Sequence, residues 1–199
     1  MQLGEDTITM SMTLNPVNEA AFQKAVQSLE TLNRAAVFHP TGTGKSCIAW
    51  KVVEAHPQTT FFWLVAGAQR LALRQAELTR YNGGTLPGNV RFCDCEKLAA
   101  ATPEQWVRLG EQKPGCIVLD CYHELSAVCW AQSVQKLLRM CPQAKVLGLG
   151  VPNGAPVCAA AQELFADCIV SHMTVAEAMA AGTMPVPSAY AALLWPQEE

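Results

Sequence analysis

The sequence predicts an α/β domain, a mostly parallel β-sheet with helices on both faces. Short apolar runs alternate along the chain with longer runs that have helical spacing, and turn residues such as Asn82-Gly83-Gly84 separate them. Apart from Arg91 and the final Asp120, the short runs are apolar throughout instead of alternating with polar residues. Strands of that composition are typical of a sheet buried on both faces, as parallel sheets are.

The elements follow in chain order. A first helix is expected at 14–32, where apolar residues recur at helical spacing, at Phe22, Ala25, Val26, Leu29 and Leu32. Strands are predicted at the apolar runs 35–38, 61–66, 90–93, 116–120, 146–149 and 168–170. Further helices are predicted at 46–54, 69–80, 103–109, 126–140, 155–165 and 174–181. In sheets of this kind, ligands bind beyond the carboxyl ends of the strands.

Length and composition bound the class of protein. The 199 residues are 50% apolar and 16% charged, which is typical of one folded domain and not of a disordered chain. We divide the chain into a leader at 1–13, a domain at 14–184 and a tail at 185–199. The net charge of −3 gives no bulk basic field, so nucleic-acid binding would have to use a local patch.

The cysteines and the apolar runs predict a cytoplasmic protein without membrane association. None of the nine cysteines forms a Cys-x-x-Cys pair, so reduced and buried thiols are expected rather than a zinc site. The first residues lack the basic start and apolar core of a signal peptide. No apolar run approaches the ~20 residues that a membrane-spanning helix needs.

Residues 39–46 read His-Pro-Thr-Gly-Thr-Gly-Lys-Ser and lie between a predicted strand and a predicted helix. This is the context in which a glycine loop holds a triphosphate. The glycines can adopt backbone angles forbidden to other residues, and the loop amides and helix N-terminus then face phosphate oxygens. His39 departs from the general pattern, which has glycine there. The predicted nucleotide-binding residues are Thr41, Gly42, Thr43, Gly44, Lys45 and Ser46.

Lys45, Ser46 and Asp120 carry the predicted phosphate and metal chemistry. A lysine at this position contacts the β- and γ-phosphates, and the following serine hydroxyl ligates magnesium. The predicted strand 116–120 ends in Asp120, whose carboxylate would hold the same Mg²⁺ through water. An ordinary strand-end or capping role is the alternative for Asp120. ATP and Mg²⁺ are therefore the expected ligands.

These motifs, together with weaker stretches in a fixed order, give the chain a resemblance to a known family. The weaker stretches lie at 14–21, 33–37, 146–149, 173–178 and 185–187, and His123 follows Asp120 in the acidic motif. From about residue 14 to 190, the chain resembles the first RecA-like domain, the ATP-binding domain, of superfamily 2 DEAD/DEAH-box helicases. More narrowly, it resembles proteins related to the type III restriction enzyme helicase subunit.

The resemblance implies a RecA-like P-loop NTPase fold and a nucleic-acid-dependent ATPase activity. It implies catalytic roles for Lys45 and Asp120, and for His123 it implies coupling between nucleotide and nucleic acid. Asn18 is expected near the adenine, with a helix cap as the alternative. It also implies a second RecA-like domain, supplied in trans or beginning in the tail, that brings an arginine finger.

The resemblance further implies a nucleic-acid partner, with DNA favoured over RNA. Gln69 and Arg70 begin the predicted helix 69–80 and are the candidates for phosphate contact. Arg74 lies one helical turn after Arg70 on the same face. A solvated helix face is the alternative reading of these residues.

Three departures from the family pattern predict weak or absent turnover by the chain alone. Cys121 stands where the family has the glutamate that orients the attacking water, and a thiol with a pKa of about 8.5 is a poor substitute. Gly150-Val151-Pro152 lacks the hydroxyls of the family's third motif, and Asp94-Cys95 replaces Thr-Tyr. The alternative function is therefore a degenerate nucleotide-binding or scaffold module without catalysis. A small-molecule P-loop kinase is a weaker third interpretation.

Overall fold

The computed structural model describes residues 12–120, 122–124, 127–152 and 163–185. Within them lies a six-stranded sheet in which all neighbouring strands are parallel. The strands are β1 Arg34–Phe38, β2 Phe61–Val65, β3 Val90–Asp94, β4 Cys116–Asp120, β5 Lys145–Gly150 and β6 Ile169–His172. Their order across the sheet is β3-β2-β4-β5-β1-β6. The predicted α/β class and parallel sheet are therefore confirmed, with each strand at its predicted position.

Helices connect and cover these strands. The α-helices are α1 Pro16–Thr31, α2 Lys45–Ala55, α3 Ala68–Tyr81, α4 Cys95–Ala99, α5 Pro103–Glu111, α6 Ala127–Cys129, α7 Gln135–Met140 and α8 Val175–Ala180. A 3-10 turn occupies Tyr122–Glu124, and a π-helical turn, Trp130–Val134, joins α6 to α7. None of the helices in the described ranges is both long and apolar enough to cross a membrane.

Polar caps fix where several helices begin. Asn15 accepts a hydrogen bond from the Asn18 amide, and Pro16 occupies the first turn of α1. Thr102 with Gln105 forms a capping box at α5, and Thr174 with Glu177 forms another at α8. The capping alternative for Asn18 is wrong, because Asn15 is the cap.

Two parts of the helix prediction differ from the structure. Helix α4 was not predicted, because its five residues are too few to show a hydrophobic period; Asp94 caps it by accepting from the Glu96 amide at 3.0 Å. The helix predicted at 126–140 is interrupted by the π-helical turn. The helix predicted at 155–165 falls mostly on residues 153–162, which lie outside the described residues.

The sheet separates two apolar cores, since residues two apart in a strand share a face. On one face, Trp63 and Val118 pack with apolar residues of α1, α2 and α3. On the other, Phe62 and Ile117 pack with residues of α5, α7 and the π-helical turn. Asp120 follows Val118 by two residues and thus belongs to the face that α1, α2 and α3 cover.

The carboxyl ends of the strands meet at one edge of the sheet. Phe38 is in register with Gly150, and Val65 is in register with Asp120. The glycine loop leaves the sheet at this edge, immediately after β1. The fold thus brings the loop and the strand-end carboxylate to the edge where parallel sheets bind ligands.

Candidate functional site

The loop between β1 and α2 has the backbone that its glycines predict. Gly42 and Gly44 both lie in the left-handed region, with φ of 86° and 85°. Gly44 is the N-cap of α2, and no side chain caps that helix. The Cys47 amide donates to the Gly44 carbonyl at 2.9 Å, whereas the amides of Lys45 and Ser46 begin the helix without a side-chain acceptor, which is the arrangement that binds anions.

Hydrogen bonds from two side chains to backbone carbonyls hold this loop in its conformation. Asn18 Nδ2 donates to the Thr43 carbonyl at 2.8 Å, and Thr43 Oγ1 donates to the Pro40 carbonyl at 2.8 Å. A Cβ on Gly44 would lie only 2.9 Å from Asn18 Nδ2, so the close approach of α1 also requires glycine there. Asn18 is buried and acts on the loop backbone.

The Lys45 side chain is buried beneath the start of the loop. Its Nζ donates to the His39 carbonyl at 2.7 Å and to the Pro40 carbonyl at 2.8 Å. The residue is 8% exposed and also lines the cavity described below. The ammonium is therefore held in place before any ligand binds, as a phosphate-binding charge should be.

His39 anchors the loop to the edge strand β6. Its side chain is fully buried, and its Nε2 lies 2.7 Å from Ser171 Oγ. Burial, with the nearby charges of Lys45 and His172, lowers the pKa of His39 to about 4. The imidazole is therefore neutral at pH 7. Its contact with Ser171 holds the first residue of the loop, at which the general loop pattern has glycine, against β6.

The Asp120 carboxylate lies at the end of β4 and is 2% exposed. One of its oxygens, Oδ2, accepts from Trp63 Nε1 at 3.1 Å and from Arg74 Nε at 2.6 Å. Arg74 also forms an ion pair with Glu77. Burial acts to lower the pKa of Arg74, but the carboxylates of Asp120 and Glu77 outweigh it and hold that pKa above its usual value.

A cavity of about 380 Å³ joins the loop to Asp120. Its volume is within the range of small-molecule sites. The residues that line it are Thr41, Gly42, Gly44, Lys45, Ser46, Cys47, Arg74, Glu77, Tyr81 and Asp120. Ser46 and Asp120, the two predicted magnesium ligands, thus line the same cavity. Both carry side-chain oxygens, the type of ligand that Mg²⁺ prefers. One feature does not suit a cation: Asp120 Oδ2 already accepts hydrogen bonds from Arg74 and Trp63.

The remaining predicted site residues lie around this cavity. His123 is half-buried on the 3-10 turn after β4, and burial, with the charges of Lys45 and Arg70, lowers its pKa against an opposing effect of Asp120. Besides its burial, the charges of Lys45, in the loop, and Arg70, at the start of α3, therefore act on the His123 imidazole. Gln69 and Arg70 are exposed in the first turn of α3.

The three sequence departures have different structural contexts. Cys121 lies outside the described residues. A Cβ on Gly150 would lie 2.8 Å from the Phe38 ring and 3.3 Å from the Tyr122 ring, so aromatic packing leaves no room for a hydroxyl side chain. Asp94 is buried as the cap of α4, and its carboxylate is turned to that helix. These last two positions serve packing and capping.

Sequence reasoning missed the side chains that α3 and β2 bring to the site. The sequence indicates for Arg74 only that it shares a helix face with Arg70, and Trp63 lies in an apolar run that predicts a core position. Trp63 is fully buried, yet its indole N–H also binds Asp120. Because side chains alternate between the two faces of a strand, Trp63 and Asp120 lie on the same face of the sheet when β2 and β4 are neighbours. The sequence does not give the strand order, so it could not predict this contact.

Comparison with known proteins does not identify a family: no protein-family model matches the chain, and no curated protein matches it.

Proposed function

We propose that the chain is the ATP-binding motor domain of a superfamily 2 helicase-like, nucleic-acid-dependent ATPase, with a RecA-like P-loop fold. One observation carries the nucleotide-binding part of this proposal. A left-handed glycine loop, an uncapped helix N-terminus, a buried lysine and a strand-end carboxylate all border one cavity. Their chemistry suits a polyphosphate tail.

Each group has a definite role in this proposal. The amides at the start of α2 bind phosphate oxygens, and Lys45 supplies a positive charge between the loop and those oxygens. Ser46 and Asp120 are the residues that would hold Mg²⁺, a cation that neutralises charge developing on the transferred phosphoryl group. His123, on which the charges of Lys45 and Arg70 both act, is given the role of coupling nucleotide to nucleic acid by the resemblance.

The nucleic-acid part of the proposal rests on the resemblance and on the position of Arg70. This arginine and Gln69 are exposed where α3 leaves the carboxyl edge of the sheet, so both can reach a phosphate backbone outside the cavity. DNA is the partner that we favour. A second RecA-like domain and a cytoplasmic location complete the proposal.

A degenerate nucleotide-binding module is the second candidate, and a specific observation favours it for the chain alone. Asp120 is engaged by Arg74 and Trp63, and the sequence has Cys121 in place of the glutamate that would orient water. Nucleotide binding is common to both candidates, whereas hydrolysis separates them.

Calorimetric titration with ATP in the presence of Mg²⁺ tests the proposed site. We expect saturable binding by the native chain and a loss of at least about tenfold in affinity for Lys45→Ala, because a charged hydrogen bond to phosphate is removed. Lys51→Ala is the matched control, since Lys51 lies in the same helix and pairs with Glu54. An equal affinity of the Lys45→Ala variant and the native chain would refute the phosphate-loop assignment.

A further inference from the structure

Arg74 is the one arginine among the lining residues of the cavity, and its guanidinium is held from two sides. Its Nε donates to Asp120 and its Nη1 donates to Glu77. Its side chain is 21% exposed, whereas that of Asp120 is 2% exposed. The arginine therefore lies between the buried carboxylate and the open part of the cavity.

The third guanidinium nitrogen, Nη2, makes no hydrogen bond to any residue in the described ranges. It carries two N–H donors, and a planar guanidinium presents its donors in a fixed fork that fits phosphate oxygens. Because Nε and Nη1 are fixed by carboxylates, the direction of Nη2 is fixed as well. Arg74 thus has an oriented pair of donors, and it lines a cavity whose other border is the glycine loop.

Asp120 Oδ2 has no coordination site left for a cation. It accepts two hydrogen bonds, from Trp63 and Arg74, and these fill its two lone-pair directions. Mg²⁺ would have to use Oδ1 or displace Arg74. Mg²⁺ also loses its water reluctantly, whereas a guanidinium is weakly hydrated.

We propose that Arg74 is a phosphate-binding residue that acts as the fixed counterion of the triphosphate, so that this chain binds nucleotide without requiring Mg²⁺. The proposal rests on the proposed function, because it concerns the same cavity. Asp120 then serves as a positioning residue, which holds Arg74 through its Oδ2. Four formal charges border the cavity, with Lys45 and Arg74 offset by Glu77 and Asp120. Arg74 thus supplies a positive charge in addition to that of Lys45, and an exchangeable metal ion is not needed for that purpose.

Titration of the native chain with ATP, once with Mg²⁺ and once with EDTA, tests this inference. We expect dissociation constants within about threefold of each other, since a fixed arginine replaces the metal's electrostatic role. Arg74→Ala should bind about tenfold to a hundredfold more weakly in EDTA, and Mg²⁺ should restore part of that loss because Asp120 becomes available. Arg108→Ala, which removes an exposed arginine from α5, should behave as the native chain does.

The outcomes separate this inference from the proposed function. Strong binding with Mg²⁺ and none with EDTA would overturn the role of Arg74 and leave the nucleotide site intact. Absence of binding under both conditions would overturn both proposals. The comparison of Mg²⁺ with EDTA in the native chain needs no variant, so the inference remains testable if Arg74→Ala does not fold. Arg74→Lys then gives an intermediate case, with the charge kept and the fork lost.

Discussion

Asn18 in α1 donates a hydrogen bond of 2.8 Å from its Nδ2 to the carbonyl of Thr43, 25 residues further along the chain. This hydrogen bond joins α1 to the middle of the glycine loop. Asn18 is 2% exposed and Thr43 is also 2% exposed, so water cannot replace the bond when it is removed. The loop shape that faces the cavity therefore depends on a residue that does not line it.

We predict that Asn18→Ala destabilises the protein and weakens nucleotide binding. The variant leaves a buried carbonyl without its donor, which costs about 1–3 kcal/mol. Urea denaturation gives the change in the free energy of unfolding, and ATP titration gives the change in affinity. Gln23→Ala is the control, because Gln23 lies on the same helix and bonds only an exposed Glu19. Equal unfolding curves for the two variants would contradict the bracing role of Asn18.

Gly42 and Gly44 provide a second test of the loop, since they share a left-handed φ but differ in their surroundings. Nothing lies within 4 Å of a Cβ on Gly42, whereas a Cβ on Gly44 would lie 2.9 Å from Asn18 Nδ2. Gly42→Ala should cost about 1 kcal/mol from backbone strain alone. Gly44→Ala should cost at least about 1 kcal/mol more, because Asn18 must move. Thermal unfolding of both variants measures this difference, and a larger loss for Gly42→Ala would refute it.

The sequence predicted the fold well because its signals are local. Four of the six strands, β1, β2, β4 and β5, contain an uninterrupted apolar run of at least four residues. The run in β1 followed by Gly42 and Gly44 marks the loop without help from tertiary contacts. Helix α8, predicted at 174–181, spans Val175–Ala180, and its capping box of Thr174 and Glu177 is also a local signal.

The sequence could not predict the contacts that cross the sheet. Whether Arg70 or Arg74 turns toward Asp120 depends on how α3 lies over β2 and β4, and that depends on the strand order. The burial of Asp94 likewise follows from the short helix α4, whose five residues are too few to show a period. Long-range packing, not residue type, decides both cases.

The indole of Trp63 should stabilise the protein through its hydrogen bond to Asp120. Trp63→Phe keeps an aromatic ring and removes the donor, so Asp120 loses one of two bonds. We expect a loss of about 1–3 kcal/mol beyond the packing change. Trp50→Phe is the control, because the buried Trp50 Nε1 has no hydrogen-bond partner among the described residues. Urea denaturation of the two variants should show the larger loss for Trp63→Phe, and an equal loss would contradict the prediction.

Cys121 gives the prediction that separates the two candidate functions. This residue lies outside the described residues, so the prediction rests on the sequence alone. We expect little or no ATP hydrolysis by the native chain with single-stranded DNA, and a rise for Cys121→Glu, because a carboxylate can orient water where a neutral thiol cannot. A phosphate-release assay measures both. Cys129→Glu, the same substitution eight residues later in the sequence, controls for added charge. Brisk hydrolysis by the native chain would show that another group orients the water.

His39 should make stability depend on pH in a defined window. Its pKa is about 4 in the folded chain, where burial, Lys45 and His172 disfavour the imidazolium, and about 6.5 when unfolded. Between these values the unfolded chain binds more protons, so stability falls as the pH is lowered from 6.5 to 4. The loss attributable to His39 is ~3 kcal/mol at pH 4 and only a few tenths of a kcal/mol (~0.2) at pH 7.

Urea denaturation at a series of pH values measures this effect, with His39→Gln as the variant. We expect its free energy of unfolding to fall less steeply with decreasing pH than that of the native chain, because Gln can keep a hydrogen bond to Ser171 but does not titrate. His56→Gln is the control, since His56 lies outside the loop and bonds the Val52 carbonyl. Acid also protonates carboxylates in every variant. The effect of His39 is therefore the difference between the native chain and His39→Gln in the slope of the free energy of unfolding against pH. Parallel curves for His39→Gln and the native chain would show that this imidazole is not held neutral by its burial.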